Sequence, residues 1–515
     1  MAKNEVVLQI DKLTKIYPGG VLANYEISFD IRKGEIHALV GENGAGKSTL
    51  MKCLFGIEEV TSGSIILNGT EVKFASSQDA IDNGIGMVQQ STMLVPSLTV
   101  AENLVLGIEP SKGMFIDSKK AIEETKAISQ KYNLYVDAER KVRDISIGMK
   151  QKLEILKTMY RGAKIIILDE PTAVLTPQET DELFAQLINL KNEGYTMIFI
   201  SHKLGEVKQI CDRLTVLKAG KSIGTYEVAD ISAKDISRLM VGRDVTLTYD
   251  RAPYKPSETL CSINQINYHD KFGTHKLCDL SFTLHKGEVL GVAGIEGNGQ
   301  LEAMNIITGN LKTESGEVMF HGANITNDSV RVIRDSGMAH ISEDRAFNGC
   351  ALEMSVKDNI IATFLRKFSN ALGILKDQEI NEFSNQAIKD YQIVTSSLNT
   401  SIKSLSGGNI QKAIVAREFE SDADMIVLNQ PTRGVDVGAM EFIHKKILEM
   451  RQKNKAMLVV SADLSELIAL SDRIIVINEG KVVGVVEDVR NTTEEELGLY
   501  MLGLKQDDAQ KLAMA

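Results

Sequence analysis

Short apolar runs rich in Ile, Val and Leu, each closed by charged or polar residues, recur along the whole chain. Ile36-His-Ala-Leu-Val40, Ile165-Ile-Ile-Leu168, Met197-Ile-Phe-Ile200 and Met457-Leu-Val-Val460 are representative. Such runs, without strict alternation, suit strands buried on both faces of a parallel sheet. Between Gln90 and Ser146 the period changes. Ala121, Thr125, Ile128 and Tyr132 fall on one helical face, after an N-cap at Asp117 or Ser118. The pattern predicts an α/β fold with a helical subdomain inserted into it. None of the runs is long enough to cross a bilayer. The opening Met-Ala-Lys-Asn-Glu is charged where a signal peptide needs an apolar stretch.

The pattern also repeats. Lys33-Gly34-Glu35 returns as Lys286-Gly287-Glu288 and Ser62-Gly63 as Ser315-Gly316, at one common offset. Ser146, Pro171-Thr172, Asp212-Arg213 and Gly220-Lys221 return as Ser406, Pro431-Thr432, Asp472-Arg473 and Gly480-Lys481, at a second, slightly larger one. The chain thus reads as two copies of one domain, 1–243 and 258–505, joined by a linker over 244–257 and followed by a polar tail over 506–515. Pro253 and Pro256 make the linker short and fairly stiff.

Composition narrows the chemistry. Hydrophobic residues make up 43% and charged residues 25% of the 515, enough for large cores. The formal charge of −11 argues against nucleic-acid binding driven by phosphate neutralisation. The five cysteines have no metal-like spacing and read as reduced thiols.

Gly41-Glu42-Asn43-Gly44-Ala45-Gly46-Lys47-Ser48 fits the P-loop pattern, placed after a strand and opening a helix that continues through Thr49. Glycines let the backbone wrap around phosphates, so that loop amides and the helix N-terminus face the anion. Lys47 is expected to reach the β- and γ-phosphates, and the Ser48 hydroxyl to ligate Mg²⁺. The run Ile165–Leu168 ends in Asp169-Glu170: Asp169 can hold the Mg²⁺ shell and Glu170 can polarise the attacking water. Met197–Ile200 ends in Ser201-His202, placing a histidine at a strand tip where a γ-phosphate contact is needed.

Together these residues resemble the ATP-binding cassette (ABC) family over essentially the whole chain. The resemblance implies two tandem P-loop NTPase domains. Each would have a RecA-like α/β core with an antiparallel β subdomain and a helical subdomain. It also implies that Gln90, in Gly86-Met-Val-Gln-Gln90, links the metal site to transmembrane subunits, and that Tyr17 stacks on adenine.

The second copy keeps the glycine skeleton in Gly294, Gly297 and Gly299 but has Gln300 for the lysine and Leu301 for the serine. Asn429-Gln430 replaces the Asp-Glu pair, and Ala462 replaces the histidine. A glutamine cannot supply the lysine's charge, and an amide is not a general base. The family's Leu-Ser-Gly-Gly-Gln signature shows the opposite asymmetry. It is degraded to Ile145-Ser146-Ile147-Gly148-Met149 in the first copy and nearly intact as Leu405-Ser406-Gly407-Gly408-Asn409 in the second. In the family two cassettes meet head to tail. The resemblance therefore implies one competent ATP site, built from the first copy's motifs with Ser406, Gly407 and Gly408, and one degenerate site.

Two cassettes, no membrane span and a degraded second P-loop resemble ATPases of bacterial sugar and nucleoside importers. Gly294–Gln300, Gln430–Ala439 with Glu441-Phe-Ile-His444, and Leu464–Asp472 look most like the nucleoside branch. Thr176, where many cassettes have Asp, is in keeping with that branch, whereas Leu301 departs from both branches. The implied partners are two integral-membrane permease subunits and an extracellular solute-binding lipoprotein, with this chain at the cytoplasmic face. The alternatives are a ribose- or galactose-type sugar importer and, more remotely, a tandem cassette acting on ribosomes.

Overall fold

A computed structural model describes residues 5–89, 93–113, 115–173, 175–201, 203–243, 249, 251, 257–513 and 515. The chain divides into two compact units, Met1–Val245 and Thr246–Ala515.

In the first unit the buried runs form one six-stranded sheet. Its order is Lys221–Glu227, Arg213–Lys218, Ile36–Gly41, Thr196–Ile200, Ile165–Asp169 and Ile85–Val88. All neighbours are parallel except the edge strand Lys221–Glu227. Ile36–Gly41 and Thr196–Ile200 are buried throughout, as the unalternated apolar pattern requires. The register aligns the carboxyl ends: Ile200 lies opposite Asp169 and Leu39, and Leu217 opposite Gly41. Ligands of parallel α/β sheets bind beyond that edge. An antiparallel sheet of Val21–Arg32, Val6–Tyr17, Ser62–Leu67 and Thr70–Val72 packs its inner side chains, Leu8, Ile10, Ile27 and Ile31 among them, into one core with Leu50, Leu54, Ile167 and Ile198.

Helices Val100–Val105, Ser118–Lys131 and Ile147–Tyr160 make the helical subdomain. Asp117 is the N-cap of the middle one, accepting from the Lys120 amide at 3.1 Å, and Tyr132 is its C-cap. Between the first two helices runs a small hairpin, Ser111–Lys112 with Phe115–Ile116, which the helical pattern gives no hint of.

The second unit repeats this plan. Its six-stranded sheet runs Met338–Ile341, Met425–Asn429, Ala456–Val460, Val289–Ala293, Arg473–Asn478 and Lys481–Val486, beside a four-stranded antiparallel sheet. Asn429 and Val292 both lie opposite Val460, so the tips align as in the first unit. The α/β core, antiparallel sheet and helical subdomain expected of each copy are all present.

The ends of the second copy differ from their reading as linker and tail. Most of 244–257 lies outside the described residues, but Tyr249 and Arg251 dock on the second unit. Tyr249 bonds His444 Nδ1 at 3.2 Å, and Arg251 donates to the Ile468 carbonyl at 3.1 Å. The polar 506–515 segment also packs down. Asp507 accepts from Val485 N and Tyr500 Oη, Ala509–Leu512 forms a helical turn, and the Ala515 carbonyl accepts from Thr283. Of its apolar residues, Leu512 and Ala515 join the core, which a polar composition conceals. No helix among the described residues is long and apolar enough to cross a membrane.

Candidate active site

The loop between Ile36–Gly41 and the helix Lys47–Leu54 forms the floor of the first unit's site. Gly46 caps that helix at φ 98, and a β-carbon there would stand 2.2 Å from Asn24 Nδ2, so only glycine fits. Asn24 Nδ2 in turn donates to the Gly46 carbonyl at 3.1 Å. A β-carbon on Gly41 would meet the Leu217 carbonyl oxygen at 2.4 Å. Asn43, Gly44 and Ser48 are exposed along the loop, and Ala45 is buried beneath it. Thr49 accepts or donates a long contact, 3.4 Å, with the Tyr17 hydroxyl, so Tyr17 lies against the helix that the loop opens.

Lys47 is buried and donates from Nζ to the carbonyls of Gly41 at 2.6 Å and Glu42 at 3.0 Å. Burial holds its pKa below the ordinary lysine value, against the pull of Glu170, Asp169 and Glu42. Asp169 shows the complementary effect: burial first, and then repulsion by Glu170, push its carboxyl up to about 6, opposed by Lys47. The structure therefore brings Lys47, Asp169 and Glu170 into one electrostatic cluster at the sheet edge. A partly buried carboxylate of raised pKa fits a hard divalent cation that takes its other oxygens from phosphate and water.

Glu170 sits at φ 48, a left-handed conformation uncommon outside glycine, held by donation from its amide to the Ile200 carbonyl at 2.9 Å. A residue absent from the motifs holds this region together. Glu206, 8% exposed, accepts from Thr172 Oγ1 at 2.7 Å and Ser201 Oγ at 2.8 Å. It thereby ties the segment after Glu170 to the residue before His202. Its sequence signal is its repetition, since Glu466 accepts from Thr432 and Ser461 in the second unit. Gln90 and His202 themselves lie outside the described residues.

The second unit keeps the backbone and replaces the chemistry. Gly299 caps the helix Gln300–Ile307 at φ 105, and Gln430 adopts φ 52 with its amide donating to Val460 at 2.8 Å. Gln300 is as buried as Lys47, and its Nε2 donates to the Ile295 carbonyl at 3.1 Å, as Lys47 does to Glu42. Leu301 is exposed where the first unit has Ser48, and Asn429 is buried at the strand tip. Gln430 Oε1 accepts from the Ala462 amide at 3.0 Å, closing its side chain onto the neighbouring strand end. Gly294 and Gly297 complete the retained loop.

Both signature serines are helix N-caps. Ser146 caps Ile147–Tyr160, and Ser406 caps Gly407–Phe419, where it accepts from Asn409 N at 3.4 Å and Asn409 Nδ2 at 2.9 Å. Ser406 is exposed and Gly408 buried, with a β-carbon on Gly408 falling 2.7 Å from Asp436 Oδ2.

A family model described as ABC transporter matches residues 25–173 and again 277–433. The chain is 43% identical over 501 residues to the nucleoside import ATP-binding protein NupA of Lactococcus lactis subsp. cremoris, covering 97% of this chain and 99% of that one. It is 45% identical over 508 residues to the guanosine import ATP-binding protein NupO of Bacillus subtilis, covering 98% and 99%. It is 40% identical over 533 residues to the glucose import ATP-binding protein TsgD13 of Haloferax volcanii, covering 97% and 96%. Among solved structures, the archaeal ribosome recycling factor aABCE1, in complex with stalk protein aP1, shares the fold. Its TM-score is 0.59 at 19% identity, over 92% of this chain and 90% of that one. With two family matches that each span a loop, a strand-end acidic or amide pair and the sheet between them, the chain belongs to the ABC transporter family.

Proposed function

We propose that this chain is the ATP-hydrolysing subunit of an importer whose cargo is a nucleoside. One observation supports a single working site above all others: Lys47, Asp169 and Glu170 cluster at the first unit's sheet edge, where the second unit has Gln300, Asn429 and Gln430. The intact signature Ser406-Gly407-Gly408 completes that site in the head-to-tail manner of the family, and the degraded Ile145–Met149 segment is left to the degenerate one. Lys47, the loop amides and the helix N-terminus stabilise negative charge on the transferring phosphoryl oxygens. Glu170 accepts a proton from the attacking water while its strained backbone holds it in line. Ser48, Asp169 and Gln90 are the groups that would hold Mg²⁺, which neutralises phosphate charge when bound. His202 contacts the γ-phosphate, and Tyr17 stacks on adenine.

The nucleoside reading follows the two relatives at 43% and 45% identity, over a sugar-import relative at 40%. Two permease subunits and a solute-binding lipoprotein complete the machine, with this chain peripheral at the cytoplasmic face of the membrane. The test is uptake in cells carrying the chain with its permeases. Labelled guanosine or another nucleoside is expected to accumulate only with the parent chain and not with Lys47→Ala. Uptake of a hexose or pentose instead overturns the nucleoside assignment.

A further inference from the structure

The second unit's signature segment has a neighbour that none of the motifs contains. Arg345 opens a single π-turn, Arg345–Gly349, whose N-cap Asp344 accepts from the Ala346 and Phe347 amides at 2.9 Å each. The Arg345 guanidinium donates to the Gly434 carbonyl at 3.0 Å, and a β-carbon on Gly407 would stand 3.5 Å from its Nη2. One side chain thus spans three segments: the turn after the strand Met338–Ile341, the start of the helix Gly407–Phe419, and the turn after Met425–Asn429. Gly434 adopts φ 64, a left-handed conformation that favours glycine, and a β-carbon there would come within 2.9 Å of the guanidinium.

The charge is as informative as the contacts. Arg433 pairs with Glu343 and Arg417 with Glu418, but among the described residues Arg345 makes no ion pair. It is a half-buried cation on which the neighbouring Asp344 carboxylate acts only through space, next to a helix N-terminus. In the first unit, whose signature is degraded, Ile147 and Val174 stand where the second has Gly407 and Gly434. Both glycines occur only where the signature is intact.

We propose that Arg345 is a positioning residue of the ATP site that Ser406, Gly407 and Gly408 complete. It fixes the signature amides against the Gly434 turn and adds a full positive charge beside them, so that the nucleotide's phosphates meet an already oriented donor set. The proposal rests on the composite site described under the proposed function.

The test uses the full chain assembled with its permeases, MgATP as probe, and steady-state turnover at two salt concentrations. Arg345→Gln is expected to raise KM for MgATP about tenfold, the factor belonging to one charged hydrogen bond. It should also flatten the rise of KM with salt. Arg345→Lys keeps the charge and is expected to stay within about threefold of the parent. A role confined to folding would lower the melting temperature and leave the salt dependence of KM intact, which would overturn the proposal. Gly408→Asp serves as the control for the underlying site. If it abolishes turnover while Arg345→Gln leaves KM and its salt dependence unchanged, the proposal for Arg345 fails and the composite site stands. If Gly408→Asp turns over normally, the composite site fails and takes the proposal with it.

Discussion

The tips of the strands Ile165–Asp169 and Met425–Asn429 are built alike and equipped differently. In each, the residue after the strand adopts a left-handed conformation and donates its amide to the neighbouring strand, Glu170 to Ile200 and Gln430 to Val460. In each, a buried glutamate downstream ties the following threonine to a serine across the sheet. The side chains change: carboxylates become amides, an ammonium becomes an amide that makes the same kind of carbonyl contact, and Leu301 and Ala462 stand where the first unit has Ser48 and His202. Backbone architecture and side-chain chemistry are therefore separable in this fold. The second unit retains the same left-handed turn, which costs free energy, with an amide where the first unit has a carboxylate.

That contrast can be broken most forcefully at the loop lysine. Lys47→Ala is expected to lower ATP turnover by about 10²–10³-fold, as removal of one preorganised charge donor does. Gln300→Ala, at the equivalent place, should leave turnover within about twofold of the parent, since one factor of two is a small free-energy change. Steady-state phosphate release by both variants in the assembled transporter checks this, and a comparable loss from both would merge the two sites into one class.

The buried glutamates sharpen it next, because both accept from a threonine and a serine, although Glu466 also pairs with His444 Nε2 at 2.8 Å. Glu206→Ala and Glu466→Ala each strand two hydroxyls in the interior and should cost about 2 kcal/mol of stability, read from denaturant melts. With Glu170 as the proposed base, only Glu206→Ala should also slow turnover. Equal effects of the two on turnover would place catalytic weight on the second unit.

The smallest effect is a pH dependence confined to the first unit. The Asp169 carboxyl is raised from 3.8 to about 6 by burial and by Glu170. A folded-state pKa above the unfolded one contributes stability that is present below about 4 and lost as pH rises through about 6. Asp169→Asn should therefore stabilise the nucleotide-free protein at pH 7, by about 1–3 kcal/mol. In the parent, Mg²⁺-dependent nucleotide binding should weaken as pH falls through about 6, since the protonated carboxyl no longer attracts the cation. Titrating nucleotide affinity from pH 7.5 to 5.5 in both proteins reads this directly, and a flat profile in the parent would contradict it.

The parts legible in the sequence are those written in short-range code. The P-loop, the paired carboxylates and the repeat follow from adjacent residues. The buried strands follow from local apolar runs, and a helix cap at Asp117 or Ser118 from one helical period, with Asp117 the one observed. What the sequence concealed depends on residues far apart in the chain. Glu206, on the helix Leu204–Ile210, has the composition of a surface charge until the fold closes Thr172 and Ser201 around it. Arg345 gains meaning only through Gly407 and Gly434, which no periodicity connects to it. Gln300 reads as a lost lysine, whereas the structure shows it reproducing part of the lysine's own hydrogen bonding. The 506–515 segment reads as polar, and among its described residues Leu512 and Ala515 contribute to the core.

The claim of one working site per chain is tested most directly by exchanging the side chains after the two strands. ATP turnover of Glu170→Gln should fall by about 10²–10⁴-fold, the usual contribution of a positioned general base, while nucleotide stays bound. Gln430→Glu, measured alongside in the same assembled transporter, should turn over at the parent rate. Similar losses in both variants, or a turnover gained by Gln430→Glu that survives Glu170→Gln, would contradict the account.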